Sequence, residues 1–199
     1  GTGSTAIAYL AERGDARVVL KVALEASKNR LLRDEGEVLA QLDHPGIAKH
    51  IETLEADNRA ALVLTSSGDQ TLRERLRKDG RLGLDLLRRW GEDLLQTVVY
   101  LERTGIAHRD IKPDNLGVSL QSNKLLRLVL FDFSLSRAGR DDVKLGTPGY
   151  LDPFLSLRKP RRWDEAAERF AAAVTLYEMA TTTLPRWGDG RSDPALIKD

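Results

Sequence analysis

Residues 106–115 read IAHRDIKPDN, and they constrain the chain more than any other stretch. They follow a long helical pattern that ends at Gly105 and precede two short apolar runs. An acid (Asp110), a cation (Lys112) and an amide (Asn115) are therefore displayed together on a loop between packed elements. Two carboxylates alone would suit hydrolysis. An acid, a cation and an amide in this small space suit a site that manages a large, moving negative charge and collects one proton, which is what phosphoryl transfer requires.

A scaffold for such a loop is affordable in a chain of 199 residues with 41% hydrophobic content, enough for one sizeable domain or two small lobes. The 31 basic residues nearly balance the 30 acidic ones, so direct nucleic-acid binding is not expected from charge. With no Cys, disulfides and thiolate metal sites are excluded in this stretch. No run approaches the ~18 apolar residues of a membrane span. The expectation is a soluble, cytoplasmic protein without a membrane segment, and the excess of Arg over Lys leans toward a GC-rich bacterial source.

The first 65 residues carry β-type runs, RVVLKVAL (17–24) and AALVLT (60–65), around one helical stretch, SKNRLLRDEGEVLAQL (27–42). Within it Leu31, Leu32, Glu35, Val38, Leu39 and Leu42 recur at helical spacing, so Glu35 shares an apolar face and needs a partner. SSGDQ (66–70) breaks the pattern as a hinge would. Beyond it the periodicity predicts a short helix at TLRERLRKDG, a long one ending at Gly105, strands at LGVSL and LLRLVLFDF around a QSNK turn, and a final apolar helix, EAAERFAAAVTLYEMATT.

HRDIKPDN stands in ordered company: GTGSTA (1–6), VVLK (18–21), Glu35, HPGI (44–47), FDFS (131–134), GTPGY (146–150) and LYEM (176–179). In this order the motifs resemble the catalytic domain of eukaryotic-like Ser/Thr protein kinases over essentially the whole chain. The resemblance implies an α+β, bilobal fold: a β-rich N-lobe with one helix over 1–65, incomplete at its start, a hinge at 66–70, and a mainly helical C-lobe over 71–199 that lacks its last helices. It implies ATP and Mg²⁺ as cofactors and a protein substrate bearing Ser or Thr. Asp110 would be the catalytic base and Lys112 would hold charge on the transferring phosphoryl. Asn115 and Asp132 would be the metal ligands, and Gly1, Gly3, Lys21, Glu35, Leu64 and Thr65 would bind the nucleotide. Thr147 would face the substrate. His108 is expected to be structural, because the chemistry already has its base.

Several positions depart from that family. Ala6 replaces the third loop glycine, tolerable if φ stays negative. Val19, Ala8 and Gly117 stand where Ala, Val and Leu are usual around adenine, which predicts a roomier slot below the ring. Ser134 replaces a Gly, and Phe154 replaces a Glu that forms a salt bridge. Glu168 stands for the helix Asp that holds the catalytic-loop backbone, and His50 for a core Leu. The activation segment, residues 134–147, has Ser134, Ser136 and Thr147 as its only hydroxyls. Asp141 or Asp142 is expected to offer Arg109 the negative charge that a phosphate otherwise supplies.

These motifs support a Ser/Thr protein kinase. The departures at Ala6, Ser134, Phe154 and the adenine slot motivate an alternative, a pseudokinase acting as a nucleotide-binding or scaffolding module. A small-molecule phosphotransferase is disfavoured by Lys112 and GTPGY. The stretch AERFAAAVTLYEMATTTLPRWGDGRSDPA also resembles large kinases of bacterial BREX-type phage-defence systems, which implies a longer multidomain parent.

Overall fold

The computed structural model describes residues 5–156 and 158–186. Gly1 and Gly3, two of the expected nucleotide-binding residues, lie outside the described residues. Strands β1 (Ala6–Arg13), β2 (Ala16–Ala23), β3 (His50–Ala56) and β4 (Arg59–Thr65) form an antiparallel sheet in the order β1-β2-β4-β3. The β2 and β4 runs follow the expected segments to within a residue. The two edge strands were not anticipated. In β3 all but His50 and Glu52 are exposed, and in β1 Tyr9 and Leu10 both face solvent, so neither alternates apolar with polar residues in the way that marks a half-buried strand.

Helix α1 (Asn29–Leu39) lies on this sheet and buries Leu32, Glu35, Val38 and Leu39. Leu31 is not buried with them: it is 43% exposed. At 100° per residue Leu31 points between Glu35 and Val38, both buried, but it lies in the first turn of the helix, two turns before Val38. His50 packs where α1 comes closest to the sheet. Its Nε2 lies 2.8 Å from Thr53 Oγ1, and a Cβ on Gly36 would stand 2.7 Å from Leu62 Cδ2. The missing side chain at Gly36 is what lets the helix approach this near.

The remainder comprises α2 (Leu72–Asp79), α3 (Leu84–Thr104), the hairpin β5 (Leu116–Leu120) with β6 (Leu126–Leu130), and α4 (Glu165–Thr181). Gly105 caps α3 with φ 70°, as its place in the sequence suggested. β6 stops at Leu130, short of the expected Phe133: Phe131 N–H still donates to Asn115 O (3.0 Å), and Asp132 then leaves the extended conformation at φ 67°. One apolar core runs from Leu39 and Leu62 in the sheet half through Leu94, Leu116 and Leu130 to Met179. The sheet half is also strapped down by HPGI: Leu130 N–H donates to Gly46 O (2.8 Å), and Ala48 N–H to Leu130 O (2.9 Å). The architecture is the expected mixed α+β arrangement of a sheet-rich and a helical half. No helix among the described residues is long and apolar enough to cross a membrane.

Asn29 fixes the start of α1 to the β3–β4 turn. Its amide donates to Asn58 O (2.9 Å), and its carbonyl accepts from the buried Ala60 N–H (2.7 Å). Asn29→Ala leaves that N–H unpaired and is expected to cost about 1–3 kcal/mol in chemical denaturation.

Candidate active site

The loop between α3 and β5 is held from below by Glu168 of α4. Its carboxylate accepts the backbone N–H groups of His108 (3.1 Å) and Arg109 (2.8 Å), and the indole N–H of Trp163 (2.7 Å). Burial pushes this carboxyl above the ordinary carboxylate range, against the pull of these donors. The clamp lets Arg109 adopt φ 71°, a left-handed conformation rare for a non-glycine residue. His108 is fully buried and structural, as expected. Its Nδ1 accepts from Asp110 N–H (3.2 Å), so Nε2 carries the proton and donates to Phe131 O (2.9 Å).

Above this clamp the functional side chains converge. Lys112 Nζ donates to Asp110 Oδ2 (2.7 Å) and to Thr147 Oγ1 (2.5 Å), while the Thr147 hydroxyl donates to Asp110 Oδ1 (2.6 Å). Asn115 Nδ2 donates to Asp110 Oδ2 (3.0 Å) and to Asp110 O (2.8 Å). Sequence positions 110, 112, 115 and 147 thus meet in one cluster.

Across the cleft, Lys21 Nζ lies 2.7 Å from Glu35 Oε2 and 2.7 Å from Asp132 Oδ1. Burial alone would depress this ammonium, but the two carboxylates outweigh it and hold its pKa above the ordinary value. Burial also works against the Asp132 carboxylate, and Lys21 more than compensates, keeping it below the usual range. Ser134, in place of the usual Gly, also favours the ionised form of this carboxylate. Phe133 N–H donates to Glu35 Oε1 (3.1 Å), which locks α1 onto the 131–134 turn.

The cleft beside Lys21, Glu35 and Asp132 has a volume of about 490 Å³ and includes Ala8, Val19, Leu64 and Thr65 in its walls. Ala6 lies at its edge, paired with Ala23 in β1 and free of positive φ, as its tolerance required. The expected vacancy at Gly117 is filled. A Cβ there would fall 2.2 Å from Ser67 O, and one on Gly68 would fall 2.0 Å from Val118 O. The connecting segment lies directly against β5 and fills the space of the missing side chain, so the slot is not roomier at that point.

Among the described residues no group of three or more His, Asp or Glu side chains converges as a metal cage. Asn115 and Asp132 nevertheless suit a hard cation that keeps other oxygen ligands. With its nitrogen turned to Asp110, Asn115 presents its carbonyl oxygen, and Asp132 is an ionised carboxylate on the cleft wall.

Arg109 is 3% exposed, and its head is held by Gly139 O (Nη1, 3.1 Å) and the Trp163 ring (5.5 Å). Asp142 contributes favourably to its electrostatics, yet among the described residues no ion pair joins Arg109 to Asp141 or Asp142, both of which are exposed. Arg137 of the same segment instead pairs with Glu37 on α1 (2.6 Å). The acid lost at Phe154 reappears two residues earlier. Asp152 is buried and pairs with Arg158, which also binds Asp164, the N-cap of α4. Arg73 and Trp163 escaped sequence reasoning, and Tyr150 and Glu178 entered it only as members of GTPGY and LYEM, because their contacts join segments that no local pattern connects.

The family model described as protein kinase domain matches residues 1–197. The chain belongs to the protein kinase domain family. Among its relatives are "Probable kinase PglW" of Streptomyces coelicolor, 39% identical over 225 residues, covering 98% of this chain and 14% of that protein. The human "Hormonally up-regulated neu tumor-associated kinase" is 31% identical over 161 residues, covering 77% of this chain and 22% of its own length. "Serine/threonine-protein kinase 36" of Pongo abelii is 28% identical over 182 residues, with 89% and 13% covered. The kinase chain therefore spans less than a quarter of the length of each of these relatives.

Two outcomes test this geometry. Gly117→Leu is expected to displace the Ser67 segment and lower nucleotide affinity, read by calorimetric titration with an ATP analogue. Glu168→Ala leaves two backbone N–H groups and the Trp163 indole without their acceptor and is expected to cost about 3–5 kcal/mol, read by thermal and denaturant unfolding.

Proposed function

We propose that this chain is a protein kinase catalytic domain that transfers the γ-phosphoryl of ATP to Ser or Thr hydroxyls of a protein substrate, with Asp110 as the base. The observation that carries this reading is the hydroxyl of Thr147, 2.6 Å from Asp110 Oδ1 and 2.5 Å from Lys112 Nζ. An alcohol, an acceptor for its proton and a cation for the developing charge already lie at reacting distances.

In the proposed reaction Lys21, oriented by Glu35, holds the nucleotide phosphates, and Leu64 and Thr65 line the base slot. Asn115 and Asp132 would hold Mg²⁺. When bound, the ion neutralises charge on the phosphates. Asp110 accepts the proton of the substrate hydroxyl as its oxygen attacks the γ-phosphorus, and Lys112 shields the transferred group. Thr147 keeps the acceptor loop against Asp110. The reading extends to a cytoplasmic setting, where ATP is plentiful, and to a longer multidomain chain, in keeping with the small fraction of each relative that is matched.

One observation favours the alternative, a nucleotide-binding or scaffolding module without transfer: backbone of Ser67, rather than a side chain at position 117, fills the space beside Gly117 in the proposed base slot. Radiolabelled phosphoryl transfer from ATP with Mg²⁺ to a generic basic protein, by the full-length protein beside Asp110→Asn, separates the two. The kinase reading expects transfer that falls about 100-fold or more in the variant. Nucleotide binding without transfer in the wild type would favour the module.

A further inference from the structure

Arg73, the second residue of α2, belongs to none of the motifs and lies outside the reacting cluster. Its guanidinium nonetheless reaches three functional segments at once. Nε donates to Asp114 Oδ2 of the catalytic loop (3.1 Å), Nη2 to Tyr150 Oη at the end of the acceptor loop (2.7 Å), and both terminal nitrogens meet the Glu178 carboxylate of α4. Tyr150 in turn donates its hydroxyl proton to Glu178 Oε2. Glu178 is 3% exposed and Tyr150 is 4% exposed, so little water competes with these bonds.

The cluster connects directly to the reacting groups. Tyr150 N–H donates to Thr147 O (3.1 Å), closing the turn whose threonine hydroxyl bonds Asp110 and Lys112. Moving Tyr150 therefore moves Thr147. The planar fork of an arginine can grip a carboxylate and a phenol oxygen together, which a lysine cannot do in the same plane.

We infer that Arg73 is a positioning residue for the phosphoryl acceptor: through Tyr150 and Glu178 it holds the 146–150 loop in register with the catalytic loop, to which Asp114 ties it. This rests on the phosphoryl-transfer reading. Its distinctive consequence is that losing Arg73 harms transfer to a protein hydroxyl, which the loop must present, more than transfer to water, which needs no such presentation.

The experiment compares, for the full-length protein with labelled ATP and Mg²⁺, the rate of transfer to a generic basic protein with the rate of phosphate release to water. In Arg73→Met the ratio of the two rates is expected to fall about tenfold or more, since small displacements of a reacting group carry effects of that size. Tyr150→Phe keeps the ring and removes the hydroxyl link. It should show a fall of similar size, and the double variant should be no worse than either single one. Millimolar guanidinium should restore the ratio in Arg73→Ala. Should Arg73→Met fail to fold, as judged by its melting profile, Tyr150→Phe carries the test. A wild-type ratio in Tyr150→Phe and any folded Arg73 variant, or parallel loss of both rates, overturns the inference while leaving the kinase reading intact. A wild type that binds ATP but transfers to neither acceptor defeats the kinase reading and this inference with it.

Discussion

The arrangement depends on a partly buried ammonium shared by two carboxylates, of which Glu35 is buried and Asp132 half-exposed. Lys21 comes from the sheet, Glu35 from the helix across it, and Asp132 from the turn after β6, so a single ion cluster joins three elements far apart in sequence. Taking such charges from water costs several kcal/mol per ion, and the cluster persists because each charge faces an opposite one at hydrogen-bond distance. Removing Lys21 would leave two carboxylates facing each other in a poorly solvated site. The cluster as it stands carries one negative charge in excess, which a divalent cation alone would offset.

Backbone strain marks the same region. Arg109 and Asp132 both hold positive φ, at 71° and 67°, flanking the reacting groups from opposite segments. Neither would persist alone. Arg109 is fixed through Glu168, and Asp132 through the hydrogen bonds of its neighbours: Phe131 to Asn115 and His108, and Phe133 to Glu35. The edge-on ring contact of His108 with Phe133, with centroids 4.6 Å apart, packs the two strained segments against each other. The glutamate in α4, one methylene longer than the usual aspartate, reaches both backbone donors and has a third from Trp163, whose ring also carries Arg109.

The elements legible in the sequence were those with a strong period or a local stop signal. α3 and α4 could be read because their apolar faces bury Trp90, Leu94 and Leu101, or Ala171, Ala172 and Met179, at helical spacing. β1 and β3 could not, because edge strands with exposed apolar residues leave no alternation to detect. Motif positions 21, 35, 110, 112, 115, 132 and 147 were legible as residue types in order, and the structure gathers 110, 112, 115 and 147 in one hydrogen-bonded cluster and 21, 35 and 132 in another. What the sequence could not carry was the contact made at long range by an ordinary surface-type residue. Arg73 lies 105 residues from Glu178, and RERLRK reads as a solvated helix face. Gly117 misled for a related reason. A missing side chain marks space only if nothing else moves into it, and the backbone that does so here belongs to residues 67 and 68.

That backbone movement bears on how the two ends of the cleft are linked. With Ser67 and Gly68 against β5, Val118 N–H donates to Gln70 O (2.9 Å), and Thr71 pairs with Gly117. Thr71 is also the N-cap of α2, and its reciprocal bonds with Glu74 set the first helical turn. Arg73 sits in that turn. The segment that lines the base slot and the residue that grips the acceptor loop are therefore separated by one capped turn rather than by a flexible tether. A larger residue at 117 would lift the connecting segment and shift the origin of α2 with it, so the absence of a side chain at that position bears on the proposed base slot and, through Arg73, on the 146–150 loop.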